Sequence, residues 1–378
     1  MASITLPQKK AAAQKQISQG YWSLVWWRFR KSRIAVLGGL ALIVIYVACV
    51  GLAEFVAPYS LERRLAYIEA PPQRIRFVDA QGQFHLRPFV YGLERKIDQQ
   101  LLTRTYVEDP SRRHPIYLFA KGEPYQLLGL IPADVHLFGV ASDDPRASFS
   151  ILGTDTLGRD YFSRIVYGGR LSLIVGLLGQ ILTIVFGTLL GVVSGYYGGK
   201  VDIVIQRLTE FLNAFPDILL FLALSAAIPV YWSPITVYFM LTIILSFVRW
   251  GGLARQVRGL ILSLREREYV LAAKSMGASA WRIMLQHLLP GTLSHVIVIA
   301  TLAIPGMILS ETALSWLGLG LRPPLTSWGV LLQDAATIRA IRTAPWLLGV
   351  VPFIIVTILA FNALGDGLRD AMDPYSGR

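Results

Sequence analysis

Five long runs without a charged residue constrain this chain of 378 residues more than any other feature of its sequence. They contain 20, 29, 31, 20 and 23 residues, and they cover residues 34–53, 171–199, 218–248, 291–310 and 343–365. A helix needs about 20 apolar residues to cross the hydrocarbon core of a bilayer. The composition agrees, since 54% of the residues are hydrophobic and only 16% are charged, whereas a soluble protein typically has about 25% charged residues. The sequence therefore predicts an integral membrane protein.

The third run is too long for one straight crossing, and Pro229 and Pro234 interrupt it around Tyr231-Trp232-Ser233. Such a cluster is typical of a turn, which divides the run into two helices. The first run is expected to remain as a helix, because 33 residues precede it and it is too long for the apolar part of a signal peptide. The sequence then predicts an all-α membrane fold with six spans at about 34–57, 171–195, 204–228, 235–251, 292–313 and 344–365.

Basic residues in two short flanking segments predict the orientation of the spans. Seven of them, without any acidic residue, precede the first span: Lys9, Lys10, Lys15, Arg28, Arg30, Lys31 and Arg33. Six more lie between the fourth and fifth spans: Arg255, Arg258, Arg265, Arg267, Lys274 and Arg282. Because such segments stay on the cytoplasmic side, six spans place both chain ends in the cytoplasm. The net charge of +12 is attributed to this topology rather than to nucleic-acid binding. Three interfacial tryptophans predict a helix along the inner membrane surface: Trp22, Trp26 and Trp27.

With this orientation, residues 58–169 lie outside the cytoplasm. The segments 74–78 and 83–86 alternate polar and apolar residues, and the sequence Asp-Ala-Gln-Gly at 79–82 between them is typical of a turn. This pattern predicts a β-hairpin. Loops of this length are usually ordered or functional, so we expect an inserted extracytoplasmic α+β subdomain after the first helix.

Signatures of catalytic and metal sites are missing from the sequence. It contains no His-Glu-x-x-His, Gly-x-Ser-x-Gly or Gly-x-Gly-x-x-Gly motif, and its five histidines lack the spacing of metal ligands. The stretch around Lys200 fails as a phosphate loop, because Ser194 replaces the first glycine and Val201 lacks the hydroxyl that would bind magnesium. The single cysteine, Cys49, excludes an internal disulfide framework. We therefore predict no catalytic residue, no metal site and no cofactor bound by this chain.

Residues 268–290, between the fourth and fifth predicted spans, form the most informative segment. The first part has the apolar spacing of a helix, and Gly277 lies where that helix would end in a left-handed turn. A second amphipathic helix is expected from about Ala278, and Pro290 suits the first turn of the following span. The sequence thus predicts a short helix–turn–helix with a small contact surface.

This segment carries a resemblance to a known family. The pair Ala272-Ala273, followed by Gly277 and by Leu289-Pro290, resembles the EAA loop of ABC-importer permeases. Further motifs are similar to those of the dipeptide/oligopeptide permeases, and they lie at 152–173, 195–202, 311–320, 328–329 and 364–374. The resemblance as a whole covers about residues 1–57 and 150–378.

Two positions depart from the family pattern. Leu271 stands where the EAA loop has its glutamate, and Glu268, one turn earlier, is the candidate substitute. The segment after the first span has about 110 residues, where the family has a short loop. The resemblance therefore says little about residues 60–150.

The resemblance implies a type I-like six-helix ABC-importer permease, which would form half of a path for peptides or a similar small solute. It implies four kinds of partner in a prokaryotic cytoplasmic membrane: a second homologous permease, two ABC ATPases that carry ATP and magnesium, an extracytoplasmic solute-binding protein and membrane lipid. The EAA loop would couple to an ATPase. The residues implied in that contact are Glu268, Leu271, Ala272, Ala273, Met276, Gly277 and Ala278.

Charged residues near the spans are further candidates. Glu311 and Asp217 are candidates for the translocation path, because an acid at membrane depth is a functional-site hypothesis by default. The alternative for both is a contact near a helix end. Four residues are expected to form ion pairs that anchor the outer segment: Asp155, Arg159, Asp160 and Arg170. Glycines spaced by four residues predict close helix packing in lipid: Gly187, Gly191 and Gly195.

The predicted organisation has five parts. A cytoplasmic segment (1–33) is followed by a first membrane helix (34–57) and an extracytoplasmic subdomain (58–169). A five-helix core (170–368), with a coupling loop at 252–290, precedes a cytoplasmic tail (369–378). The main alternative is an ion-gradient-driven secondary transporter or channel. That class would require paired acids or broken helices at the midplane and an internal repeat. A membrane-anchored receptor would explain the outer segment but neither the six spans nor the coupling loop.

Overall fold

A computed structural model describes residues 20–97, 104–140, 147–229, 231–321 and 324–373. The predictions that concern Lys9, Lys10, Lys15 and the tail after residue 373 lie outside these residues. The described part is a helical bundle that carries a four-stranded antiparallel sheet between its first two long helices. The helices are α1 (Tyr21–Lys31), α2 (Arg33–Gly51), α3 (Ala53–Val56), α4 (Tyr161–Tyr197), α5 (Gly199–Asn213), α6 (Asp217–Ala226), α7 (Pro234–Leu264), α8 (Glu268–Ser275), α9 (Ala280–Trp316), α10 (Trp328–Ala335), α11 (Ile338–Thr343) and α12 (Pro345–Met372).

Five of the described helices are long and apolar enough to cross a membrane, namely α2, α4, α7, α9 and α12. The predicted third span, at 204–228, is instead the pair α5 and α6, which are bent by 88° at a short break. The pair adds a sixth crossing only if it counts as one span. Pro216 accounts for the break, because it precedes α6 directly and a proline disfavours helical geometry in the residue before it.

Helices α4 and α9 begin well before the predicted spans, because capping side chains, and not hydropathy, fix their starts. Asp160 accepts a hydrogen bond from the Ser163 N–H (2.8 Å) at the start of α4. Ser279 caps α9 in the same way. Pro290 lies in the first turn of the α-helical part of α9, Leu289–Trp316, as predicted, but a π-helical turn over Ile283–Leu288 connects this part to the preceding residues of α9. Such a turn shifts the backbone pairing and accommodates the proline.

Helices α4 and α7 run side by side in the same direction. The Tyr238 hydroxyl of α7 donates to the Leu171 carbonyl of α4 (3.5 Å), and near the other end the Arg265 guanidinium donates to the Gly195 carbonyl (2.9 Å). The predicted packing role of the spaced glycines is confirmed. A Cβ atom on Gly187 or Gly191 would lie 2.9 or 2.6 Å from a carbonyl oxygen of α7.

We expect the substitution Gly191→Ala to force α4 and α7 apart. The added methyl would lie 2.6 Å from the Ala254 carbonyl oxygen, and overpacking of this kind costs about 1–3 kcal/mol. Thermal unfolding of the detergent-purified protein measures the effect. The control is Gly259→Ala on α7, which meets nothing within 4 Å and should leave the midpoint unchanged or raise it. Equal midpoints for the two variants would contradict the packing argument.

The sheet has the strand order β1-β2-β3-β4, with β1 at Arg76–Val78, β2 at Phe84–Ile97, β3 at Arg104–Leu127 and β4 at Ile131–Val140. The predicted hairpin is confirmed, since Val78 pairs with Phe84 across a turn that the Asp79 carboxylate closes by accepting from the Gln83 N–H (2.8 Å). The described residues between 58 and 160 contain strands and irregular segments but no helix. The sheet of the predicted α+β subdomain is therefore present, and its helical part is absent from these residues.

The sheet lies at the end of the bundle where α2 ends and α4 begins. Phe55 of α3 stacks on Phe119 of β3 with 6.1 Å between ring centroids, and the His136 ring of β4 lies 2.7 Å from the Ala57 carbonyl oxygen. Because α4 and α7 both run away from this end, α8 follows α7 at the opposite end of the bundle.

Candidate functional site

Helix α8 projects from the bundle and ends in a glycine-dependent turn. Gly277 has a φ of +78°, in the left-handed region that the sequence predicts for it. The Gly277 N–H donates to the Lys274 carbonyl (3.0 Å), and the Ala278 N–H donates to the Ala273 carbonyl (3.1 Å). This pair of bonds is the Schellman arrangement, which satisfies carbonyl groups at a helix end. The turn fixes the angle between α8 and α9.

The two faces of α8 have different environments. Val270 is buried among apolar side chains of α4, α7 and α9, and Ala273 is also buried. The opposite face, which we call the exposed α8 face, consists of Glu268, Leu271, Ala272 and Met276. The side chains of Leu271 and Met276 on it are 46% and 81% exposed. Apolar side chains are thus accessible on this face outside the predicted spans.

The predicted contact set therefore divides into two groups. Ala273 points into the bundle and Ala278 is half-buried, whereas Ala272 lies on the exposed α8 face. The sequence alone did not separate the two adjacent alanines, because small residues fit either face of a helix.

An ion pair holds α5 against α7 near this end of the bundle. The Arg258 guanidinium donates two hydrogen bonds to the Asp202 carboxylate, both 2.5 Å long. Such two-bonded pairs are among the strongest polar contacts in proteins. The sequence indicated the motif at 195–202 but not the arginine partner 56 positions further on.

A second polar cluster lies around the start of α4. The Asp155 carboxylate is fully buried and accepts from the Arg159 Nε (2.7 Å) and from the Arg164 Nη1 (2.8 Å). Arg164 is also buried and donates to Asp334 of α10 (2.8 Å). The cluster ties the loop before α4 to α4 itself and to α10. Arg164 and Asp334 were not among the predicted anchors, because 170 positions separate them and no local pattern connects them.

The other two predicted anchors have different contacts. Arg170 pairs with Glu54 of α3 through bonds of 2.6 and 2.7 Å. Asp160 has no ion pair in the described residues, and it accepts instead from the Ser163 N–H and hydroxyl. Burial raises the pKa of Asp160 to about 6, while the hydrogen bonds from Ser163 act in the opposite direction.

Glu311 of α9 is enclosed by the protein. Its side chain is 2% exposed and accepts from the hydroxyls of Ser172 (2.9 Å) and Ser315 (2.7 Å). The Ser172 hydroxyl in turn accepts from the backbone N–H of Trp328 (3.1 Å). Glu311 thus joins α9, α4 and the start of α10, and it does not lie on the surface of this chain.

Asp217 lies in a polar group at the break between α5 and α6. Its side chain is 53% exposed, and one carboxylate oxygen lies 3.8 Å from the Nη2 atom of Arg249 in α7. That same nitrogen donates to the Ser310 hydroxyl of α9 (2.7 Å). Sequence reasoning missed Arg249, because it directly follows the uncharged run at 218–248 and resembles a residue flanking a span. The structure places it in the middle of α7. No group of three or more metal-binding side chains occurs in the described residues.

Two family profiles match the chain. Residues 187–376 match the binding-protein-dependent transport system inner membrane component. Residues 20–72 match the N-terminal transmembrane domain of oligopeptide transport permease C. The two matches include α1, α2 and every helix from α5 onwards.

Curated relatives cover similar parts of the chain. The oligopeptide transport system permease protein of Haemophilus influenzae is 42% identical over 228 residues, which is 60% of this chain and 70% of the relative. The dipeptide transport system permease protein of Alkalihalophilus pseudofirmus is 43% identical over 223 residues, 59% of this chain and 71% of the relative. The glutathione transport system permease protein of Pectobacterium atrosepticum is 42% identical over 225 residues, 59% and 72% of the two chains. The chain therefore belongs to the binding-protein-dependent inner membrane components, and it is a multi-pass permease subunit of the dipeptide/oligopeptide type of ABC importer.

Proposed function

We propose that this chain forms half of the translocation path of an ATP-driven importer and receives the ATPase motion through the exposed α8 face. The observation that carries the proposal is this face, with Leu271 and Met276 exposed at the end of the bundle away from the sheet. Two ATPases dock at that end, one on this chain and one on a second, homologous permease. A solute-binding protein delivers the solute on the sheet side.

The orientation belongs to the same proposal. The basic residues before α2 and along 252–290 support a cytoplasmic position for α8 and both chain ends, with the sheet outside. ATP and magnesium bind to the ATPases, and this chain carries the resulting movement. The coupling needs contacts that differ between the inward-open and outward-open states.

The proposed solute is a peptide. The relatives named above are permeases for oligopeptides, dipeptides and glutathione, all of which carry a peptide bond. Of the two candidate path residues, Asp217 is the one with an exposed side chain. For Glu311 we propose a structural role, because its carboxylate is enclosed between α9 and α4.

An ion-gradient-driven transporter is the second candidate function. The 88° break between α5 and α6 and the charged pair beside it favour that class. It gives no reason, however, for an exposed apolar face on α8.

The proposal is tested by capturing the chain from its native membrane in mild detergent and identifying associated proteins by mass spectrometry. We expect a phosphate-loop ATPase and a second permease in near-equal amounts. Recovery of the chain alone, in a detergent where a known ABC importer stays assembled, would favour the ion-gradient alternative. The control is the same capture with Ala272→Arg, which should lower the amount of ATPase relative to the second permease, because only the ATPase docked on the second permease can remain.

A further inference from the structure

We propose that Arg249 is a carboxylate-binding residue within the translocation path and that it holds the solute carboxylate at mid-membrane. This inference rests on the proposed function, since it assigns a solute group to the path. The group that Arg249 binds is a carboxylate of a peptide, either at its C-terminus or on an acidic side chain.

The neighbouring helix α4 supports a position of Arg249 within the membrane. It precedes Trp250, whose carbonyl oxygen is 2.9 Å from the Cβ position of Gly187. Gly187 lies near the middle of the uncharged run at 171–199. Lys and Arg at such a depth almost always face a partner or a water-filled cavity.

The surroundings of Arg249 are polar and incompletely covered by this chain. The Arg249 side chain is 29% exposed and that of Asp217 is 53% exposed. Acyl chains offer no hydrogen bonds to such groups, so water, solute or another polypeptide covers this face. In an importer built from two permeases, a polar face at mid-depth belongs to the path between them.

The guanidinium has spare hydrogen-bond donors. It carries five N–H groups, of which Nη2 donates to Ser310. The Asp217 oxygen at 3.8 Å is beyond hydrogen-bond distance. The buried Nε has no hydrogen-bond partner in the described residues. Because Nε is buried, a solute carboxylate would accept from the remaining N–H groups of Nη1 and Nη2, in the two-bonded geometry that arginine favours.

Gly306 leaves the space that this arrangement requires. A Cβ atom on Gly306 would lie 2.9 Å from the Arg249 Nη1 atom. Any larger residue at 306 would displace the guanidinium from its position beside Ser310. The site is therefore built from one residue each of α6, α7 and α9 together with this glycine.

The first test measures uptake of a labelled tripeptide by cells that express the whole importer. Arg249→Gln should lower uptake about ten- to hundredfold, the range for lost hydrogen bonds to a charged group, while Lys121→Gln in the sheet should not. Arg249→Lys should recover part of the uptake. The double variant Arg249→Gln with Asp217→Asn distinguishes an ion-pair role from solute binding. If Arg249 only balances Asp217, the double variant regains uptake and the proposal fails; if Arg249 binds solute, uptake stays low.

A second measurement uses the complex with the wild-type sequence, so its outcome does not depend on whether a variant folds. Phenylglyoxal modification of Arg249 is followed by mass spectrometry in the presence of a tripeptide, its C-terminal amide, or an amidated tripeptide with an aspartate side chain. Protection by the free tripeptide alone identifies the C-terminal carboxylate, and protection by the aspartate peptide as well identifies any carboxylate. Equal modification in all three samples would overturn the proposal. A wild-type importer that takes up no peptide would instead overturn the proposed function.

Discussion

The substitution Asp155→Asn should destabilise the detergent-purified protein by about 3 kcal/mol, because removing one partner of a buried ion pair leaves an uncompensated charge. Asp155 is fully buried and forms ion pairs with Arg159 and Arg164. Asparagine keeps an oxygen for the Leu157 N–H (2.8 Å) but loses the negative charge. Arg164, also buried, would then keep Asp334 as its ion-pair partner in the described residues.

Thermal unfolding measures this loss, and the matched control is Asp134→Asn. Asp134 pairs with Lys121 at 3.4 Å, and both side chains are largely exposed. Exposed pairs contribute between zero and about 1 kcal/mol, so the control should unfold close to the wild type. If both asparagine variants unfolded at the same temperature, the cluster around the start of α4 would not be the anchor that its geometry indicates.

The substitution Ala272→Arg should reduce ATP-coupled uptake more than tenfold and leave the amount of protein in the membrane unchanged. Ala272 is exposed on α8, so the new side chain does not disturb the bundle. A long charged side chain at the centre of a small contact face would instead prevent close approach of the ATPase. Uptake of labelled peptide, an immunoblot of the membranes and ATPase co-purification measure the three quantities.

The neighbouring position provides an informative contrast. Ala273 is 3% exposed and packs against the bundle, so Ala273→Arg should lower the thermal stability as well as uptake. A control for the added charge is Gln81→Arg in the β1–β2 turn, which should affect neither. Normal uptake in the Ala272→Arg protein would show that α8 does not carry the coupling.

Features with a local cause were predictable from the sequence. The spans follow from uncharged runs, the hairpin from alternation around 79–82, and the turn after α8 from Gly277. In each case the residues that determine the structure are neighbours in the chain. The spaced glycines on α4 belong to the same class, because their spacing alone places them on one helix face.

Features that depend on distant residues were not predictable in this way. Arg164 meets Asp334, Arg258 meets Asp202 and Arg249 meets Ser310 only because the helices fold together. The rotation of α8 about its own axis is a similar case. The burial of Ala273 and the exposure of Ala272 depend on the packing of α8 against α7 and α9. At Leu271 the departure from the family pattern places an apolar side chain on the exposed α8 face, with Glu268 one turn away.

The continuity of α9 has a mechanical consequence. Its 37 residues run from Ala280, next to the turn after α8, through the π-helical turn to Trp316, five residues beyond Glu311. A helix of this length is about 55 Å long. If it pivots near its middle by about 5°, each end moves by roughly 2 Å in opposite directions. Pro305 lies between the two ends and is the place where bending would absorb such a movement. The stiffness of α9 at Pro305 therefore determines how much of a displacement at one membrane face is transmitted to the other.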